Sequence, residues 1–177
     1  MMQALRSKLG IIPQKAVLFS GTIEDNIRFG KEHASEEEIV EAAKIAQGYD
    51  FIMDKEQQFK EEITEGATNV SGGQKQRLSI ARALVRKAEI YIFDDSFSAL
   101  DFKTDANLRK ALKRVTKDSI VMVVAQRIAS IMDADQIIVL NEGKMIGHGT
   151  HKELLKNCQI YREIALSQFR EEELANE

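Results

Sequence analysis

Cysteine is nearly absent from this chain. Cys158 is the one cysteine among 177 residues, so no intramolecular disulfide can form and a cysteine-rich zinc site is excluded. The residue is expected to pack as a small apolar side chain, and a single thiol fits a reducing, cytoplasmic compartment. Long apolar runs are missing too. A spanning helix needs roughly 18 or more apolar residues, and the longest apolar region, from Ile120 to Leu140, is broken by Gln126, Arg127, Asp133 and Asp135. The opening Met1-Met2-Gln3-Ala4-Leu5-Arg6 has no apolar signal-peptide core. Any link to a membrane must therefore run through a partner or a further segment. There is no basic excess either. The formal net charge of −3 offers no electrostatic reason to expect nucleic acid as a partner. No internal repeat or low-complexity linker interrupts the chain, and its charged tail, Glu171 to Glu177, is expected to be a solvated helix end.

What is present fits a soluble globular protein with a sizeable core. Ser35-Glu36-Glu37-Glu38 has the form of a capping box, with a hydroxyl at the cap and a carboxylate three residues on. Ile39, Ala42, Ala43 and Ala46 follow at helical spacing, and a less regular helical region is expected over Phe51 to Phe59. From Ser71 onward helices and strands alternate. Leu78, Ala81, Leu84 and Val85 form an apolar stripe, with Arg82, Arg86 and Lys87 largely off it. The runs Ile90 to Phe93, Ile120 to Val124 and Ile137 to Leu140 read as short strands, the first two as strands covered on both faces. The turn Asn141-Glu142-Gly143-Lys144 leads to a short strand near Met145-Ile146, and Thr150-His151-Lys152-Glu153 is a second capping box. This alternation predicts an α/β fold with a mostly parallel sheet. The preceding helical stretch predicts an inserted subdomain, giving regions 1–30, 31–87 and 88–177.

Two stretches carry chemistry. Ser71-Gly72-Gly73-Gln74 opens the striped helix, where free N–H groups and the helix dipole make an anion site; taken alone, the run is better accounted for by a Ser-capped helix with a glycine turn. The strand from Ile90 delivers Asp94 and Asp95 at its C-terminal end, where α/β sheets bind ligands. In phosphoryl-transfer sites a carboxylate so placed holds Mg²⁺, although an acidic turn after a strand has the same spelling.

Together these stretches resemble the ATP-binding-cassette (ABC) family of exporter nucleotide-binding domains. Ser71-Gly72-Gly73-Gln74 followed by Arg77 resembles the signature motif, the run through Asp94 the Walker B strand, and Ser98-Ala99-Leu100-Asp101 the D-loop. Pro13-Gln14 resembles the Q-loop, Leu18 to Ile27 the stretch that follows it in exporters, and Gly149 to Leu155 the segment that closes these domains. The likeness covers almost the whole chain, in the family's order. It implies a P-loop NTPase-like sheet flanked by helices with an inserted helical subdomain. It also implies ATP and Mg²⁺ as cofactors, and a place on the cytoplasmic face of the plasma membrane beneath an exporter's transmembrane domain. In this family two domains pair head to tail. Ser71, Gly72, Gly73 and Gln74 would then bind the γ-phosphate of the partner's ATP. Gln14 would contact Mg²⁺ or the attacking water, Asp94 would hold Mg²⁺, and Asp101 would signal across the interface. Glu65, in Thr64-Glu65-Gly66, resembles the acidic residue of the exporter X-loop.

Three departures qualify the likeness. No Gly-Lys-Ser or Gly-Lys-Thr occurs, and only 13 residues precede Gln14, which implies that the Walker A loop and the first strands are missing. Asp95 stands where most active members have a catalytic Glu. Its side chain is one methylene shorter, and a misplacement of roughly 1 Å can cost about 10²-fold in rate. Gln126 stands where the family has its switch histidine; it can hydrogen-bond a phosphate but cannot take a positive charge. Paired changes of this kind resemble the degenerate subunit of heterodimeric bacterial multidrug exporters, with the second nucleotide-binding domain supplying the competent residues. A non-catalytic remnant or interaction fragment is the alternative. A soluble ABC ATPase of DNA repair or translation fits less well, because the stretch from Leu18 to Ile27 is exporter-like.

Overall fold

The computed structural model describes residues 2–170; the tail expected to end a helix lies outside them. The chain forms two compact units that divide between Val124 and Ala125. Both lobe boundaries read from the sequence fall within the first.

The first unit begins with helix α1 (Met2–Ser7) and strand β1 (Leu9–Ile12). A two-residue strand β2 (Gly21–Thr22) and helix α2 (Ile23–Arg28) follow. Then come helices α3 (Glu36–Ile45) and α4 (Tyr49–Met53), strand β3 (Glu62–Ile63) and helix α5 (Gly72–Leu84). Strand β4 (Ile90–Asp94), helix α6 (Phe102–Val115) and strand β5 (Ile120–Val124) complete it. The helical region expected over Phe51 to Phe59 is α4 followed by a separate 3₁₀ turn, Gln58–Lys60. Sequence reading missed β1, whose four residues lie in a stretch read as loop, and α2. The capping box of α2 pairs Thr22 with Asp25, and its signal is a hydroxyl three residues before a carboxylate.

Strands β1, β4 and β5 form a parallel sheet in the order β1-β4-β5, and β2 pairs antiparallel with β3. Because strand side chains alternate between faces, the register sorts the sheet into two surfaces. Gly10, Tyr91 and Val121 align on one, as do Ile12, Phe93 and Val123. There Ile12, Tyr91 and Phe93 are buried with Leu78, Ile80, Leu84 and Leu108 in one core. Each full burial of a large apolar side chain contributes roughly 1.5–3 kcal/mol. The opposite surface carries Ile11, Ile92 and Met122 in line, with Ile120 and Val124 beside them. On it Ile11 is 57%, Ile120 62% and Met122 55% exposed.

The expectation that the first two runs are strands covered on both faces is therefore corrected. Strand β4 is covered on one face, and β5 is largely exposed on both, since Val121 on its inner side is also exposed. A continuous apolar run is spelled alike whether one layer of helices or two lie against it. A bare apolar edge strand is an association hazard. The purified chain is expected to self-associate in light scattering, and Ile120→Lys with Met122→Lys to lower the particle size; a compact, monodisperse wild-type monomer would count against this.

Helix α5 organises the segment before it. At Gly30 an added Cβ would lie 1.9 Å from the Arg82 carbonyl oxygen, so only glycine lets the chain leaving α2 pass this close. Arg82, expected off the apolar stripe, is instead two-faced. Its guanidinium donates to the carbonyl oxygens of Val17 (2.8 Å) and Asn26 (2.9 Å) and to Asn26 Oδ1 (2.8 Å), and it lies 4.9 Å from the Phe19 ring centroid. Burial pushes its pKa down, the desolvation cost of charge that these hydrogen bonds offset. Asn26 in turn holds both the N–H and the carbonyl of Phe19.

The second unit is built on an antiparallel hairpin of β6 (Ile137–Asn141) and β7 (Lys144–Gly149), with helices α7 (His151–Asn157) and α8 (Gln159–Gln168). Its turn places Glu142 and Gly143 at φ 48° and 74°, as a tight two-residue hairpin loop requires. The third expected strand thus alternates, with Ile137 and Val139 buried and Ile138 and Leu140 exposed. Cys158 packs with Leu154 and Tyr161, an ordinary core role. The expected cap at Thr150 forms, Glu153 accepting from the Thr150 N–H at 2.8 Å.

Candidate functional site

The Ser71-Gly72-Gly73-Gln74 run caps α5. Ser71 Oγ accepts from the Gln74 N–H (3.2 Å) and Gln74 Oε1 accepts from the Ser71 N–H (2.9 Å). This box satisfies two of the four free donors of a helix start. The amides of Gly72 and Gly73 remain without an acceptor among the described residues. The two glycines differ in what surrounds them. A Cβ at Gly73 would sit 3.3 Å from the Ala99 carbonyl oxygen, whereas one at Gly72 would meet nothing within 4 Å. The fold therefore supplies a steric reason for Gly73 and none for Gly72, where alanine would favour the helix by about 1 kcal/mol. An exposed helix start with two free amides and an unobstructed glycine can receive an oxyanion at close range.

Strand β4 delivers Asp94 to its C-terminal end, exposed, and the chain turns at Asp95 with a left-handed φ of 44°. The Asp95 N–H donates to the Val124 carbonyl at 2.8 Å, and Gln14 Nε2 donates to Asp95 Oδ2 at 3.2 Å. Gln14 leaves β1 immediately after Pro13, so parallel pairing of β1 with β4 brings together residues 81 positions apart. With its amide nitrogen on Asp95, Gln14 keeps its side-chain oxygen for another partner. Two carboxylates and an amide oxygen suit Mg²⁺, which binds through one or two carboxylates and takes its remaining oxygens from water and phosphate.

The next residues form a turn that leads to α6. Ser98 Oγ donates to the Asp95 carbonyl at 2.9 Å; Ala99 is exposed and Leu100 buried. Asp101 is the N-cap of α6. Its carboxylate accepts from the Thr104 N–H at 3.0 Å and the Thr104 hydroxyl at 2.7 Å, and the hydroxyl, then the N–H, hold its pKa below the usual carboxylate range. Through Ala99 and Gly73, this turn lies beside the start of α5. Glu65 is exposed in a tight loop, Glu65–Ala67, kinked at Gly66 with a φ of 71°. Asn69 braces that loop, accepting from the Thr64 N–H at 3.2 Å and donating to the Glu62 carbonyl at 2.7 Å. Lys75 of α5 donates to the Gly66 carbonyl at 3.2 Å.

Gln126 lies in the second unit, exposed, with its carbonyl accepting from Gln168 Nε2 at 2.8 Å. The first unit thus brings together Gln14, Asp94 and Asp95, and separately the start of α5 with Ala99. Sequence reading gave no separate role to three polar residues around these groups. Gln76 is 1% exposed and Ser96 fully buried. Arg77 donates to the carbonyls of Gly73 (3.3 Å) and Gln47 (2.8 Å), and burial pushes its pKa down. Of these, only Arg77 was part of a recognisable motif; the partners of the others lie far along the chain.

Residues 1–98 match the family described as ABC transporter. The chain is 46% identical over 167 residues to an uncharacterized ABC transporter ATP-binding protein of Bacillus subtilis, covering 94% of this chain and 29% of that protein. It is 40% identical over 161 residues to a putative multidrug export ATP-binding/permease protein of Staphylococcus aureus, covering 91% of this chain and 28% of the relative. A solved structure of a bacterial Atm1-family ABC exporter with ATP bound superposes with a TM-score of 0.93 at 38% identity, covering 97% of this chain and 30% of that one. The chain spans under a third of the length of each of these relatives.

Proposed function

Because the chain belongs to the ABC transporter family, we propose that it is part of the ATP-binding domain of an exporter, coupling ATP binding and hydrolysis to transport through a transmembrane domain. It works in a pair with a second nucleotide-binding domain at the cytoplasmic face of the membrane. The start of α5 is its main contribution: Ser71 and the Gly72 and Gly73 amides receive the γ-phosphate of ATP held by the partner, with Gln74 keeping the cap in shape. The observation that carries this reading is Gly72, a glycine at an exposed helix start whose missing Cβ faces open space. Close approach of an outside phosphate explains it.

The chain's own half-site is Gln14, Asp94 and Asp95. Asp94 and the Gln14 oxygen would hold Mg²⁺, which supplies charge neutralisation between phosphate oxygens. Asp95 occupies the position of the base that orients water, and Gln126 that of the switch group. With Asp in place of Glu and Gln in place of His, this site is the degenerate one of a heterodimer, and the competent site is completed by this chain's α5. Asp101 would pass information across the dimer interface, and the braced loop bearing Glu65 would face the transmembrane domain. The names of the Staphylococcus aureus relative and of the solved Atm1-family exporter support the exporter class.

Residues 1–177 contain no Gly-Lys-Ser or Gly-Lys-Thr, the loop that cradles phosphates in cis. Calorimetry separates what the chain does alone from what it does in a pair. The purified chain is expected to bind no Mg²⁺-ATP up to millimolar nucleotide. Clear micromolar binding would mean that another group holds the phosphates, and the assignment of the start of α5 to a partner's ATP would fail.

A further inference from the structure

Gln76 is a polar side chain 1% exposed, one helical turn past Gly72 and Gly73, and neither face of the proposed site uses it. Its Nε2 donates to the Pro13 carbonyl at 3.2 Å, across 63 positions of sequence. Two further bonds flank that one. Ser96 Oγ, fully buried, donates to the Ile12 carbonyl at 2.8 Å, with the Asp94 carbonyl 3.2 Å from the same oxygen. Gln14 Nε2 reaches Asp95 Oδ2. Successive residues Ile12, Pro13 and Gln14 are thereby tied to Ser96, Gln76 and Asp95. Pro13 has no N–H, so the loop's entry has its carbonyls to be held by and few donors.

A buried glutamine is costly unless it is hydrogen-bonded, and a methionine of similar volume would fill the same space without desolvating an amide. Packing alone therefore gives no reason for glutamine here, whereas placing a loop does. We propose that Gln76 is a positioning residue: by holding the Pro13 carbonyl it sets where Gln14 stands over Asp95, and it ties that placement to the start of α5. Displacement of the Gly72–Gly73 turn on meeting an anion is passed along one turn of rigid helix to Pro13, and so to the residue facing Asp95. The two proposed half-sites, one serving the partner's ATP and one this chain's own, are joined by a single side chain. The inference rests on the reading of Gln14 as an ATP-site residue, and its test separates the two.

The test uses Gln76→Met in two measurements. In hydrogen–deuterium exchange of the full chain, amides of Gln14 to Ala16 are expected to exchange about tenfold faster, while the buried half of α5 is unchanged. Unchanged exchange at Gln14 to Ala16, or equal acceleration throughout the unit, overturns the proposal, the second because it marks a merely structural role. In the assembled transporter, Gln76→Met is expected to raise the Mg²⁺ concentration for half-maximal ATP turnover about fivefold, and Gln14→Ala at least as much. If Gln14→Ala shifts it and Gln76→Met does not, the positioning role fails. If neither shifts it, the reading of Gln14 fails, and with it the role assigned to Gln76. Should Gln76→Met not fold, Ser96→Ala releases the Ile12 carbonyl one residue earlier, and the same outcomes decide.

Discussion

Gly72→Asp is expected to cut ATP turnover by the assembled transporter about 10²-fold or more, while the variant folds as stably as the unchanged chain. The two halves of this expectation come from opposite effects of one carboxylate. At the start of a helix an acidic residue meets the positive end of the dipole, worth roughly 0.3–1 kcal/mol, and replacing glycine removes a helix penalty of similar size. No atom stands within 4 Å of the new Cβ, so there is no steric cost. Any partner that brings a phosphate to the Gly72 and Gly73 amides, in contrast, meets a like charge at contact distance. Loss of one preorganised donor alone costs about 10²–10³ in rate. Thermal unfolding of the chain, set beside ATPase of the transporter, checks both halves. Unaltered turnover would remove the anion-site assignment of α5. A lowered melting temperature would show that Gly72 serves the fold after all. Gly73 is a poorer probe, because its Cβ position already crowds the Ala99 carbonyl at 3.3 Å.

The second large effect is a gain. With the partner's site silenced, Asp95→Glu combined with Gln126→His is expected to raise residual ATP turnover about 10²-fold, the factor assigned to a reacting group displaced by roughly 1 Å. Asp95 is at present turned toward Gln14 at 3.2 Å. One added methylene lets the carboxylate reach past the amide, and a histidine at 126 supplies a charge that glutamine cannot. A modest stability loss should accompany Asp95→Glu, since the backbone there has a φ of 44° and aspartate tolerates left-handed geometry better than most side chains. Single-turnover measurements with labelled ATP give the rate. No gain from the double substitution would mean that the site is not limited by these two residues, and the heterodimer reading would lose its main support.

Legibility followed the range of the interaction. The helix starts at Ser35, Ser71 and Thr150 could be read from the chain because a capping box is closed by residues three apart: Ser35 with Glu38, Ser71 with Gln74, Thr150 with Glu153. The start of α6 is local in the same way, its cap at Asp101 needing only Thr104. Of the site, Asp94 and Asp95 were visible as a strand's end, and Gln14 as part of a motif. Their meeting was not visible, because parallel pairing of β1 with β4 is a choice among sheet orders that local spelling does not make.

The sequence by itself therefore determined the helix starts at Ser35, Ser71 and Thr150, the apolar runs that become β4, β5 and β6, and the family, since each depends on residues close together or on ordered motifs. Tertiary structure alone decided three things. It placed Gln76 on Pro13 and Arg82 on Asn26, contacts that span 63 and 56 residues. It made Gly73 a glycine of packing and Gly72 a glycine of access. And it left one face of the sheet, with Ile11, Ile120 and Met122, bare. The physical reason is common to all three. Hydrogen-bonding reach, steric room and solvent exposure are properties of what stands opposite a residue, and only the folded chain brings those atoms there.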